Sequence, residues 1–182
     1  MDNAFRREPG LLSPKSSYFH KEACKKANEC FSKIEPLYQY IDGNINPRKT
    51  FLTSKEFSNL IKSRDRELGA LDIGITETRS HHFYSHKGRR NEYGNKIYNH
   101  QRFAIAFTAE MSHEMVMAVP QASIVAESAK KYLNSAVIAT QIAELIRTLG
   151  YEARPHIDGN YQVICTLVAR DAGLSEIGKL GI

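Results

Sequence analysis

A helical pattern runs from Gln121 to Leu149 and dominates what the chain can build. Ile124, Val125, Tyr132, Leu133, Ala136, Val137, Ala139, Ile142, Ala143 and Ile146 form an apolar stripe that covers most of the helix girth. At ~1.5 Å per residue this element is about 40 Å long, and its alanines let a sheet or a second helix come close. Gly150 follows as the residue that ends it in a left-handed turn. In a chain of 182 residues such a helix is the spine of the core.

The elements before it are shorter. Phe19, Ala23, Ala27, Cys30, Phe31 and Ile34 recur at helical steps, so a helix is expected from Tyr18 to about Ile34, ended by Pro36. Thr53 and Glu56 form a capping box that opens a second helix to about Leu68, with Gly69 closing it. Ala70–Thr76 reads as a short buried strand, and Arg102–Ala109 as a strand with alternating Phe103, Ile105 and Phe107. Met111, Met115, Val116 and Met117 follow as core filler or as the lining of a pocket. After the long helix, Tyr151–Arg154 is expected as a strand stopped by Pro155, and Val163, Ile164, Leu167 and Val168 mark a helix ending near Ala172. The expected class is α/β, a layered sheet with flanking helices and one long central helix.

Composition excludes several classes. A hydrophobic content of 42% with 25% charged residues is that of a globular chain. No apolar run reaches membrane-spanning length, and MDNAFRREPG is not an apolar leader, so a cytoplasmic protein is expected. Cys24, Cys30 and Cys165 are odd in number and widely spread, which argues against a disulfide framework and against a complete metal or cluster site. The net charge of +5 leaves nucleic acid as an open but secondary partner. There is no G-x-G-x-x-G after the first strand, no P-loop lysine and no G-x-S-x-G.

Residues 77–100 carry no periodicity and crowd His81, His82, His86 and His100 among aromatics and basic residues. His82 and His86 have the i, i+4 spacing of a helical metal clamp, with His81 beside them. No helix is expected there and no nearby carboxylate or cysteine completes a site, so the plain loop reading is preferred and no metal is assigned. Lys87–Arg90 can contact phosphates or simply be solvated.

The closing stretch LGYEARPHIDGNYQVICTLVARDAGLSEIGKLGI passes from helix end to polar loop, helix and glycine-rich turn. His156, Asp158 and Asn160 lie in the loop, where they either cap it or serve chemistry. The turn reads Ala172-Gly173-Leu174-Ser175-Glu176-Ile177-Gly178-Lys179. It serves either ligand contact or tight helix–strand packing.

From that turn and the preceding Gly-Tyr-x-Ala segment, the chain resembles cobalamin-dependent reductive dehalogenases and epoxyqueuosine reductases over about Ala70–Ile182. Residues 1–17, with two prolines, three serines and no periodicity, are expected as an arm and 18–69 as a helical lead-in, while the resemblance implies 70–182 as a nitroreductase-like α/β domain. It further implies that two [4Fe–4S] clusters lie in a ferredoxin-like domain beyond the turn, missing from this chain. Cobalamin is the implied cofactor, contacted by Asn160, Tyr161, Gly173, Leu174, Ser175, Glu176, Gly178 and Lys179. Ser175 stands where the family turn has its third-position glycine. The dehalogenases use a tyrosine acid and the epoxyqueuosine reductases an aspartate. Tyr98 of the long loop, Asp158 and His156 are the matching candidates for proton donation.

The implied function is a domain of a reductive dehalogenase-like oxidoreductase acting on a small molecule and fed by an electron donor. A cofactor-free electron-transfer or interaction module, and a tRNA-modifying enzyme of the epoxyqueuosine type, are the competing readings.

Overall fold

A computed structural model describes residues 13–15, 19–88, 93–118 and 123–179. Most of the 1–17 arm, the helix start at Gln121, Arg89 and Arg90 of the basic run, and Gly181-Ile182 lie outside the described residues. Contacts divide the chain into Met1–Pro36 with Glu110–Asn134, and Leu37–Ala109 with Ser135–Ile182.

In the first unit, α1 spans Lys21–Ile34 and is capped by His20, whose Nδ1 accepts from the amide of Ala23 at 3.3 Å. Cys24, Ala27 and Ile34 form its buried stripe, as the periodicity requires. After the strands of the second unit, α3 (His113–Met117) is a short helix not expected from sequence, and Met117 on it is 70% exposed. Phe31 meets Tyr132 with ring centroids 6.2 Å apart. Glu127 accepts from the Ser112 amide at 3.0 Å, which fixes the segment ahead of α3.

In the second unit, α2 spans Ser54–Glu67 and opens on the expected capping box: Glu56 accepts from the Thr53 amide while Thr53 accepts from that of Glu56. Gly69 ends it with φ of 100°. Strands β1 (Ile73–Glu77) and β2 (Phe103–Phe107) pair antiparallel, with Ile75 opposite Ile105. The long helix α4 runs Ser123–Thr148; its 135–148 portion brings Ile138, Ile142 and Ile146 against Ile61 of α2. Ile105, Phe107 and Tyr151 surround that cluster. Helix α5 covers Cys165–Asp171, shorter than expected because Val163 instead pairs with Phe83 in an isolated antiparallel bridge.

Two expectations need correction. Tyr151–Arg154 is not a strand: the Ala153 carbonyl accepts from the Arg147 guanidinium at 3.1 Å, and the Tyr151 hydroxyl donates to the Thr50 carbonyl at 3.1 Å. Side chains take the place of a strand ladder. The expected layered sheet is also smaller, with two strands among the described residues.

Arg147 is 5% exposed and donates to the carbonyls of Tyr40, Ile41 and Ala153. The 46–50 loop is tied to the same helix end, with Asn46 N–H on the Arg147 carbonyl at 3.0 Å and Thr50 N–H on that of Leu149 at 2.9 Å. Gly150, at φ of 88°, is closed in by Arg48 and Lys49, where a β-carbon would approach at 2.8 Å. Asp65 is fully buried, and neither carboxyl oxygen has a partner among the described residues. Burial raises its pKa from 3.8 to about 6. Among the described residues no helix is long and apolar enough to cross a membrane.

Candidate functional site

The site is built where the long connection after β1, the 154–164 loop and the end of α5 meet. The chain leaves β1 through a 3₁₀ turn, Ser80–His82. The His82 carbonyl accepts from Ile164 N–H at 2.8 Å, and Tyr84 N–H donates to Gln162 at 3.0 Å. These bonds flank the Phe83–Val163 bridge and fasten the connection to the loop that precedes α5.

Asp171, the last residue of α5, then joins the same turn through its side chain. Oδ2 lies 2.9 Å from His82 Nε2 and 3.1 Å from His81 Nε2, while Arg170 donates to Oδ1 at 2.7 Å. Donation from Arg170, then from His82 and His81, holds the Asp171 carboxyl well below the usual carboxylate range. The three ligand-type atoms of His81, His82 and Asp171 lie within 4.8 Å of one another, the spacing of a metal site. Their proton arrangement does not suit one. His82 is fully buried and its Nδ1 accepts from the Arg79 amide at 3.1 Å, so its proton sits on Nε2 and points at Asp171. A metal on Nε2 would need that ring stripped of both protons, whereas a ligand histidine normally keeps one to donate outward. The cluster is a hydrogen-bond network around a saturated carboxylate. His86, the other half of the expected i, i+4 pair, bonds Ser85 at 3.1 Å and bridges to Lys96.

The loop candidates are held together by Arg154, which reaches Asp42 at 3.1 Å and also donates to Asn160. The Tyr38 hydroxyl donates to the Asp158 carbonyl at 2.7 Å. His156 accepts from Gln162 N–H through Nδ1 at 3.3 Å, and burial, with the charge of Arg154 second, lowers its pKa from 6.5 to about 4. At neutral pH it is an uncharged ring with an Nε2–H to offer, not an imidazolium acid. Tyr161 lies next in this loop, half-buried. Tyr98 stands on a different segment, 67% exposed, with the Lys96 ammonium 5.5 Å from its ring centroid.

The glycine turn begins directly after Asp171. Gly173 takes φ of 78°, and the amides of Ala172, Gly173 and Leu174 close back on the helix. From 175 to 178 no backbone amide donates to another backbone group among the described residues. Leu174 and Ser175 are half-buried, while Glu176, Gly178 and Lys179 are exposed. This run of amides without backbone partners, beside an open glycine, can donate to the oxygens of an anionic or amide-bearing ligand. Asp171, His81 and His82 were not among the site residues expected from sequence. The histidines were visible in the crowded loop, but their carboxylate comes from 89 to 90 positions away.

No family model matches the chain. Over 169 aligned positions it is 28% identical to tetrachloroethene reductive dehalogenases of Desulfitobacterium hafniense and Dehalobacter restrictus, covering 72% of this chain and 30% of theirs. Solved structures agree. A structure titled for a mechanism of B12-dependent dehalogenation matches at a TM-score of 0.69 and 22% identity, over 98% of this chain and 27% of that one. Catabolic reductive dehalogenase NpRdhA matches at 0.67 and 21%, over 87% and 25%. In class, then, the chain has the fold of a reductive dehalogenase segment and is similar to these enzymes in sequence. It spans less than a third of the length of the curated relatives it matches.

Proposed function

We propose that the chain is the corrinoid-binding part of a cytoplasmic, reductive dehalogenase-like oxidoreductase. In this reading its two-stranded sheet and long helix belong to a nitroreductase-like layered domain. The [4Fe–4S] clusters that feed it are carried on a ferredoxin-like domain outside this sequence. The observation that carries the reading is the 172–179 turn. A positive-φ glycine and the unbonded amides of 175–178 follow a helix whose end is clamped by Asp171 to the candidate substrate-facing loops. The likeness to reductive dehalogenases supports it independently.

When bound, cobalamin supplies the low-potential, two-electron chemistry that breaks a carbon–halogen bond. The protein's own part is to hold and order. Amides of 175–178 would donate to oxygens of the corrinoid periphery, and Lys179 would pair with its phosphate. Asn160, oriented by Arg154, and the neutral Nε2–H of His156 offer hydrogen bonds from the neighbouring loop. Because His156 stays uncharged, it contributes direction without competing for the proton that the reaction consumes.

The test is titration of the purified chain with cob(II)alamin and hydroxocobalamin, read by visible absorption and calorimetry. Saturable binding with a shifted cobalt spectrum is expected, weakened by Gly173→Val. A corrinoid spectrum that stays unchanged at all protein concentrations would remove the reading.

A further inference from the structure

Strand β2 reads Phe103-Ala104-Ile105-Ala106-Phe107, a palindrome centred on Ile105. It is apolar on both faces, the pattern of an interior strand, yet among the described residues it lies at the edge of a two-stranded sheet. None of its residues is fully buried, and Phe103 is 54% exposed.

The pairing with β1 shows what that edge offers. Thr78 N–H donates to the Arg102 carbonyl at 2.8 Å, and Thr108 N–H to the Asp72 carbonyl at 2.9 Å. In this register the even-numbered residues of β2 bond to β1, so the amides and carbonyls of Phe103, Ile105 and Phe107 point away from it. They have no backbone partner among the described residues. Edge strands are normally blunted by charge, proline or a bulge. The edge of β1 is blunted: the Ile73 amide donates to Asp72 Oδ1 at 2.8 Å, and the strand ends on Glu77. Strand β2 holds no charge and no proline, and Arg102 just before it turns back onto Glu77 and the Phe103 ring.

A palindrome selects its own copy. Placed antiparallel across a two-fold axis at Ile105, each residue meets its own kind: Ile105 faces the partner's Ile105, Ala104 the partner's Ala106, and Phe103 the partner's Phe107. The outward groups then fall into hydrogen-bonded pairs, about six bonds between the copies. Phe103 is covered by a second aromatic ring, and Arg102 lies opposite the partner's Thr108, so no like charges meet. A slip in either direction would set Phe107 against the partner's Gln101, or Phe103 against the partner's Ala109, so the centred register is preferred.

We infer that the chain forms a closed pair through β2, the two small sheets joining into one of four strands. Helices already cover both faces of the sheet. Ile105 and Phe107 pack on the cluster of Ile61 and Ile142, and Gly74 of the paired strand lies on Ala172, so the opening is in the plane of the sheet. The contact is isologous and occupies the free edge of both copies, while the guarded β1 edges end the sheet instead of recruiting further chains. The inference does not rest on the corrinoid reading.

Sedimentation velocity of the 182-residue chain over a concentration series tests it, with reductant present to keep Cys24, Cys30 and Cys165 as thiols. A species of twice 20.6 kDa is expected. Amide hydrogen exchange gives the residue-level reading. In the dilute monomer the amides of Ala104 and Ala106 are slow and those of Phe103, Ile105 and Phe107 fast; on pairing, all of them become slow. Phe103→Pro removes an outward amide and the exposed ring but leaves the β1 ladder bonds in place, and is expected to weaken association by about tenfold or more. Phe103→Lys, which puts a charge in the seam, gives the same reading if the proline variant does not fold. A chain that stays monomeric at the highest attainable concentration overturns the inference. So does a dimer in which the amides of Phe103, Ile105 and Phe107 still exchange fast, because its contact lies elsewhere, and so does open-ended aggregation, which a closed pair does not give.

Discussion

Gly74, the second residue of β1, lies so close to Ala172 that a β-carbon there would overlap the Ala172 carbonyl oxygen and come within 2.8 Å of its methyl group. The strand and the beginning of the glycine turn are thus in backbone contact, and the turn's position is set by a missing side chain. Gly74→Ala must push the end of α5 outward. We expect a loss of about 1–3 kcal/mol in stability, the usual cost of overpacking, read as a lower urea midpoint. Gly173→Ala is the contrast: nothing stands within 4 Å, but φ is 78°, so its smaller cost comes from the backbone.

Asp65 makes stability depend on pH in an unusual direction. Its pKa is raised by burial to about 6, so the folded protein binds a proton more tightly than the unfolded chain does. That contribution is fully present below pH about 4 and is lost as pH rises through 6. Asp65→Asn cannot ionise, and we expect it to be more stable than the parent by about 1–3 kcal/mol at pH 8 and near parity at pH 4. Denaturant melts at the two pH values decide the matter.

His156 works in the other sense. Its folded pKa is lowered to about 4, so it favours folding above pH 6.5 and withdraws that support as pH falls through 4. The ring resonances of His156 are expected to stay those of a neutral imidazole from pH 8 to pH 5. A midpoint near 6.5 would contradict the buried environment described for it.

Arg147 offers a stability test inside the core. Arg147→Met keeps much of the apolar stem but leaves the carbonyls of Tyr40, Ile41 and Ala153 short of a donor. We expect a loss of about 2–4 kcal/mol, measured as a lower thermal midpoint, with Arg147→Lys intermediate because one ammonium cannot reach all three oxygens as a guanidinium fork does.

Local chemistry was legible in the sequence. The Thr53–Glu56 capping box, the left-handed closures at Gly69 and Gly150 and the alternation of β2 all depend on residues a few positions apart. What was not legible depends on distance along the chain. Tyr151–Arg154 looks like a strand until Arg147 and Thr50 take up its hydrogen-bonding groups. The histidine-rich loop looked incomplete because its carboxylate, Asp171, reads locally as one more polar residue near the end of a helix. The candidate ligand turn was visible as a glycine pattern, but the contact with Gly74 that sets its position was not.

The buried guanidinium of Arg147 also bears on how the molecule opens. Among the described residues no acid neutralises its charge; it is solvated by the carbonyls of Tyr40, Ile41 and Ala153, so the 40–50 loop acts as a dry hydration shell for the end of the long helix. Peeling that loop away alone would leave a cation facing apolar side chains. Fraying is therefore coupled to the core, and the amides of Asn46 and Thr50, though in a surface loop, should exchange with solvent as slowly as those of the helix they cover.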